Sequence, residues 1–263
     1  MKFKGYTNKI TLKKDILVKE SISFHDIYLD KKNEYLFLEE LVDIKTDCLL
    51  KPEKFYWDNN NLISEYKYLK DFKTLEELEL NKEIIDNLVI NLKQIKEIDI
   101  SNSKVKTFEY INFLNIFKEN IKQDISIYEE YIEEIKQYAL YFETLDLTLS
   151  HNDLVPGNIL FKDNKVILID YDYVTLNNKF FDLASFITET LNNKEDLIDY
   201  FISKSIESEL LKENELNTLN KMIKYQDLLW SLWAIFMYEN KKEKVFLNIY
   251  EEKINRLKNR KIY

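Results

Sequence analysis

The sequence predicts an α+β protein of two lobes, a small β-rich lobe over residues 1–68 and a larger, mainly helical lobe over residues 69–263. Three observations predict it. Short β-rich runs separated by turn residues occupy residues 1–66, apolar residues at helical spacing dominate from Leu75 onward, and one polar strand-turn-strand stretch, Ser150–Tyr173, interrupts the helices.

In the first lobe, Lys9–Leu12 and Ile16–Lys19 read as strands around a Lys13-Lys14-Asp15 turn. Lys54–Trp57 and Leu62–Tyr66 flank Asp58-Asn59-Asn60-Asn61, a hairpin signal. Between these pairs, Lys32–Leu41 carries Tyr35, Leu36, Leu38 and Leu41 at near-helical spacing, so an antiparallel sheet with one helix is expected. Glu65–Asp71 is the expected crossover. In the second lobe, Ile84, Leu88, Leu92 and Ile95 form one stripe behind Asn81 as N-cap, and Ile127, Tyr131, Ile135, Tyr138 and Phe142 form another. Further helices are expected over Phe181–Leu191, Lys194–Ser203, Glu215–Glu239 and Lys244–Arg260.

Composition excludes several classes of function. A hydrophobic fraction of 45% with 32% charged residues suits a folded globular chain, so disorder is not the default. A formal net charge of −9 argues against a nucleic-acid partner and tolerates a cationic ligand better. The single Cys48 cannot form an intramolecular disulfide and reads as a small buried hydrophobe, and no Cys/His cluster offers a zinc site. A reducing cytoplasm is the expected compartment. The opening MKFKGYTNKITLKK has no apolar targeting core, and no run of about eighteen apolar residues occurs, so neither secretion nor a membrane span is expected.

The interrupting stretch, SHNDLVPGNILFKDNKVILIDYDY, carries the chemistry. It holds one of two glycines and one of two prolines in a polar loop, then Ile159-Leu160-Phe161, a turn at Asp163-Asn164, and the apolar run Val166–Ile169 ending on Asp170. His151, Asp153, Asn158 and Asp170 follow the pattern H-x-D-x-x-x-x-N with a strand-ending Asp, the spacing of a phosphoryl-transfer site. Such a reaction needs an in-line hydroxyl and neutralised phosphate charge. Asp153 fits the base that accepts the hydroxyl proton; Asn158 and Asp170 offer the hard oxygens that Mg²⁺ takes alongside water and phosphate. His151 is either a further catalytic base or the residue that fixes the loop by bonding to backbone.

SHNDLVPGNILF followed by VILIDYDY resembles the catalytic and metal-binding segments of the choline/ethanolamine kinase and aminoglycoside phosphotransferase superfamily, which shares the protein-kinase-like fold. Asp170-Tyr171-Asp172 follows that superfamily's Asp-aromatic-acid motif, which makes Asp172 either a further acidic group at the metal site or a solvated Asp. The resemblance implies ATP as the phosphoryl donor. It assigns Gly5, Thr7 and Asn8 to a phosphate loop in which Lys4 replaces a first glycine. Lys19 then lies on the nucleotide phosphates with Glu34 as its helix partner, and Glu65 and Tyr66 fall in the adenine hinge.

On the acceptor side, Gln226, Trp230, Trp233 and Met237 share one helix face, which alone reads as core packing. LLWSLWAIF also resembles the W-x-L-W segment of choline and ethanolamine kinases, so Trp230 and Trp233 are implied walls for a quaternary ammonium, a group that only aromatic faces and carboxylates recognise. FFDLASFITE resembles the family segment with Asp182 as a structural anchor and Glu189 facing the ammonium; Tyr173 and Tyr250 are further candidate walls. The expectation is a choline kinase. Ethanolamine, another amino alcohol or an aminoglycoside are alternative acceptors, and a non-catalytic binding protein of the same fold is the competing class.

Overall fold

The computed structural model describes residues 7–263. In chain order the first elements are β1 (Asn8–Lys13), β2 (Ile16–Ser21), α1 (Lys31–Asp43), β3 (Lys54–Asp58), β4 (Asn61–Lys67), β5 (Lys73–Thr74) and α2 (Lys82–Lys96). They are followed by α3 (Tyr110–Asn120), α4 (Glu129–Phe142), β6 (Thr148–Ser150), β7 (Ile159–Lys162), β8 (Lys165–Leu168) and β9 (Thr175–Asn177). The chain ends with α5 (Phe180–Ser185), α6 (Glu195–Glu207), α7 (Leu216–Lys241) and α8 (Lys244–Asn259). The fold is α+β, with a small β-sheet N-terminal region and a helical C-terminal region.

The chain forms two compact units whose division differs from the expected boundary at residue 68. One comprises residues 1–107 and 148–176, the other residues 108–147 and 177–263. The reason lies in the backbone hydrogen bonds of the central hairpin. β7 pairs with β5, and β8 exchanges bonds with Cys48–Leu50, Leu168 N donating to Cys48 O at 2.8 Å and Leu50 N to Leu168 O at 3.0 Å. The central hairpin is therefore built into the first unit.

In that unit, β1-β2-β4-β3 form an antiparallel sheet. Its hairpins turn on residues that tolerate the left-handed region: Lys14 (φ 57°) joins β1 to β2, and Asn59 and Asn60 (φ 46° and 67°) join β3 to β4. Asp163 and Asn164 (φ 47° and 61°) join β7 to β8 in the same way. Asp30 caps α1 by accepting from Lys32 N and Asn33 N, both at 3.0 Å, and Asn81 caps α2 by accepting from Ile84 N at 3.1 Å. The core is drawn from Phe37, Leu38 and Leu41 of α1 and Ile84, Leu88, Leu92 and Ile95 of α2, all buried. Cys48 is buried as expected.

The second unit is organised around α7, against which α3, α4, α5 and α8 pack. Lys242 (φ 57°) ends α7 in the left-handed region, and α8 begins at Lys244. Two expectations change here. The buried stripe of α4 runs through Ile132, Ile135, Ala139 and Phe142, while Ile127 is 70% exposed because it lies before the helix starts. The expected helix Phe181–Leu191 is α5 followed by a π-helical turn, Phe186–Leu191, closed by Asn192 N donating to Ile187 O at 2.8 Å.

Candidate functional site

The loop after β6 is held by side chains bonded to backbone. His151 is almost fully buried, and its Nε2–H donates to Ile169 O at 3.0 Å. Burial pushes its pKa down to about 4, so the imidazole stays neutral. A ring spent on that carbonyl and withheld from charge shapes the loop, which corrects the catalytic reading of His151. Asn152, which sequence reasoning passed over, adopts φ 63° and donates to Tyr173 O at 2.7 Å and Thr175 Oγ1 at 2.6 Å. It ties the loop to the segment beyond Asp170; an Asn inside a polar loop was the available signal.

Asp153 is thereby presented at the surface of the loop, and Asn158 Nδ2 donates to its carbonyl at 3.1 Å and to its Oδ2 at 2.8 Å. Asn158 is fixed in turn by Ile169 N, which donates to Asn158 O at 3.0 Å. Asp170, at φ 67°, turns the chain out of β8. Tyr171 drives inward, its hydroxyl donating to Leu50 O at 2.8 Å and its ring 4.9 Å edge-on from Phe37 of α1. The alternation of Asp170, Tyr171 and Asp172 thus aims both carboxylates away from the tyrosine.

Those carboxylates meet a buried cluster. Lys19 Nζ, on β2, donates to Glu34 Oε1 at 2.7 Å, Asp170 Oδ1 at 2.5 Å and Asp172 Oδ1 at 2.6 Å. Burial alone would lower its pKa, but Asp170, Asp172 and Glu34 outweigh that and hold it well above the lysine value. Lys31, absent from the sequence-based set, donates to Glu34 Oε2 at 2.9 Å and Asp172 Oδ1 at 2.6 Å. In a chain this rich in lysine only its place one turn before Glu34 could have marked it. The expected pairing of Lys19 with Glu34 is present.

Three nucleotide-side expectations are revised. Asp172 is spent: Oδ1 takes both lysines and Oδ2 accepts from Asn8 Nδ2 at 2.7 Å, so it is a clamp for cations and not a metal ligand. Burial opposes its ionisation, yet Lys19 and Lys31 hold it well below the usual carboxylate range. Asn8, with its amide on Asp172 and on Thr7 Oγ1 at 3.1 Å, anchors the start of β1 and does not present that amide to phosphate. Glu65 and Tyr66 lie inside β4, paired with Val18 and Leu17 on one side, and Glu65 also with Lys54 on the other, so their backbone is consumed by the sheet and cannot serve as a hinge. Gly5 lies outside the described residues.

Asp170 differs from its neighbours. Its side chain is 25% exposed against 2% for Asp172 and 1% for Glu34. Burial of the group and the nearby Asp172 charge push its pKa up to about 6 against the pull of Lys19. It is a carboxylate short of positive charge, and its oxygens and the amide oxygen of Asn158 are the hard donors that Mg²⁺ takes. Among the described residues no group of three or more His, Cys, Asp or Glu is arranged to hold a metal.

The second unit holds the remaining candidates. Trp230 and Trp233 of α7 are edge-to-face at 6.2 Å; Phe113 stands 6.3 Å from the former and Phe246 5.6 Å from the latter. Trp230 is buried and Trp233 half-buried, its Nε1 without a hydrogen-bond partner among the described residues. Glu189 sits in the π-helical turn, where Lys253 of α8 and Thr188 Oγ1 both donate to its Oε1, the latter at 3.1 Å. Burial would raise its pKa, but Lys253 and Arg256 lower it. Glu189 therefore already carries a counter-cation, contrary to a carboxylate reserved for a ligand. Tyr250 is bonded to the Tyr128 hydroxyl, Asp182 is buried in the first turn of α5, and Tyr173, in the first unit, stacks on Tyr28 at 6.4 Å.

Comparison with known proteins shows the family and the fold. Residues 23–215 match the choline/ethanolamine kinase family. A LicA homolog of Mycoplasma capricolum is 32% identical over 210 residues, covering 72% of this chain and 84% of that protein. LicA of Haemophilus influenzae is 27% identical over 186 residues, 64% of this chain, and the chain spans only 66% of one such protein and 52% of another. Among solved structures, choline kinase LicA from Streptococcus pneumoniae superposes with a TM-score of 0.75 at 20% identity, covering 98% of this chain and 92% of that one. A gentamicin-bound aminoglycoside phosphotransferase superposes with a TM-score of 0.66 at 20% identity, covering 95% and 88%, so the fold is common to both. With the family matched over most of its length, the chain belongs to the choline/ethanolamine kinase family, a family of kinase-type phosphotransferases with the protein-kinase-like fold.

Proposed function

We propose that the protein transfers the γ-phosphoryl group of ATP to the hydroxyl of choline. The observation that carries the reading is the assembly, in one unit, of Asp153 bonded to Asn158 with Lys19 bonded to Glu34 and Asp170. Asp153 orients the acceptor hydroxyl and accepts its proton; the amide of Asn158 keeps that carboxylate from rotating away. Asp170 and Asn158 would hold Mg²⁺, which supplies charge neutralisation on the transferring phosphate. Lys19 supplies a second positive charge to the phosphates, and Glu34 fixes its direction. The adenine is read by backbone beyond the end of β4, from Leu69 onward, since Tyr68 N is still used, donating to Asp15 O at 2.7 Å.

Choline is favoured over other acceptors by the chemistry of α7. A quaternary ammonium has no N–H to donate, so aromatic faces serve it well, whereas Glu189, paired with Lys253, offers less to a primary ammonium. The assay is turnover of Mg-ATP with choline, ethanolamine and a panel of aminoglycosides. Activity highest on choline supports the reading. No activity on choline or ethanolamine sinks it, and activity on aminoglycosides alone replaces it. Use of ATP and the single free cysteine both suit a cytoplasmic enzyme.

A further inference from the structure

Lys19, Glu34, Lys31 and Asp172 close a ring in which cations and anions alternate. Lys19 spans Glu34 Oε1 and Asp172 Oδ1 at 2.7 and 2.6 Å, and Lys31 spans Glu34 Oε2 and the same Asp172 oxygen at 2.9 and 2.6 Å. None of the four side chains is more than 9% exposed. The ring is neutral. Asp170 is attached to it through Lys19, and Asn8 through Asp172.

The place of Lys31 is unusual on two counts. It is buried, and it stands in the first turn of α1, the positive end of the helix, where a cation is disfavoured. Its chief compensation is Glu34 and Asp172, with Asn8 Oδ1 at 3.4 Å as a weaker partner. The charge of Lys31 therefore serves these two carboxylates.

Nucleotide binding explains why two lysines are needed where one would pair Glu34. A phosphate draws the Lys19 ammonium toward itself. Were Lys19 the sole cation, that movement would leave two buried carboxylates facing each other uncompensated. We infer that Lys31 is a positioning residue for nucleotide binding: it keeps Glu34 and Asp172 compensated and in place while Lys19 turns to the phosphates. It touches no substrate and acts through Lys19. The inference rests on the proposed use of ATP.

The test is the ATP dissociation constant by calorimetry, with Mg²⁺ and in EDTA, for the parent, Lys31→Met, Lys31→Arg, Asp172→Asn and the double variant K31M/D172N. Lys31→Met weakens ATP binding about tenfold or more in both conditions, while the KM for choline moves less than about threefold. Lys31→Arg, which can still bridge two carboxylates, returns binding to within about threefold of the parent. In the Asp172→Asn background the loss of Lys31 costs less than about threefold, because one of the two anions it serves is gone. The inference is overturned if Lys31→Met binds ATP within about twofold of the parent, or if its loss is equally large in the Asp172→Asn background. Should Lys31→Met alone fail to fold, the comparison of K31M/D172N with D172N decides by the same threshold. Binding needs no acceptor, so a parent that binds ATP yet phosphorylates neither choline nor ethanolamine overturns the proposed reaction while leaving the Lys31 comparison decisive; a parent that binds no ATP overturns both.

Discussion

The charged ring of the first unit is buried and the aromatic face of α7 in the second is largely so, but they meet the cost of burial in opposite ways. In the ring every charge finds an opposite one within hydrogen-bond distance, and the excess negative charge is left on Asp170, the most exposed member. On α7 the proposed binding surface is the rings of Trp230 and Trp233, and charges of the same unit are paired among themselves: Glu189 with Lys253, and Asp227 with Arg256 and Arg260 at 3.2 and 2.9 Å. The first region keeps a residual negative charge, whereas the second keeps paired charges and aromatic rings.

The sharpest way to break this contrast is at Asp153, the proposed acceptor of the hydroxyl proton in the first unit. Asp153→Asn keeps the shape and can still bond Asn158, but cannot take a proton. Turnover with choline is expected to fall by about 10²- to 10⁴-fold while ATP still binds. Single-turnover kinetics alongside calorimetry check this; near-normal turnover removes Asp153 from the role.

The second region should respond in stability before it responds in rate. Lys253→Met leaves Glu189 buried without its cation, an expected loss of about 3–5 kcal/mol, whereas the double change K253M/E189Q removes both charges and should recover most of it. Denaturant unfolding measures both, and a single variant as stable as the parent would mean the pair contributes nothing. Glu189 also sets a sign for acid behaviour. Its folded pKa is depressed, so its contribution is present above the unfolded value of about 4.3 and is lost as pH falls below it. Glu189→Gln should therefore lose stability less steeply than the parent in that acid range.

Trp233→Ala tests whether the aromatic face is a binding surface or only core. A lost cation–π wall is worth about 1–2 kcal/mol, so the KM for choline should rise roughly five- to thirtyfold and that for ATP much less. Equal effects on both would make Trp233 a packing residue.

Legibility followed the same divide. Strand pairs, their Asn-rich turns and the Asn81 cap were readable because local chemistry dictates them, and the closeness of Asp153 to Asn158 because both lie in one short loop. Lys31 and Asn152 were hidden, since a lysine among many and an asparagine in a loop acquire meaning only from partners 141 and 21 residues away. The ion pair of Glu189 with Lys253 was hidden for the same reason: the motif supplies the carboxylate, and the cation arrives on a helix 64 residues later. The hinge was misread because a strand's neighbours on both sides cannot be counted from its own sequence.

The smallest expected effect separates scaffold from site within the first unit. Asn81 caps α2, and α2 supports the hairpin through Asn91 Nδ2, which donates to Val166 O of β8 at 2.8 Å. Asn81→Ala removes one bond to the helix start, an expected loss of about 1 kcal/mol and a fall of a few degrees in melting temperature. Asp153 and the ring are fixed by their own side-chain bonds and not by the first turn of α2, so the KM values for ATP and choline should stay within about twofold. A fall in turnover beyond about tenfold at an unchanged melting temperature would show instead that the end of α2 is coupled to catalysis, with the bond from Asn91 to β8 as the route.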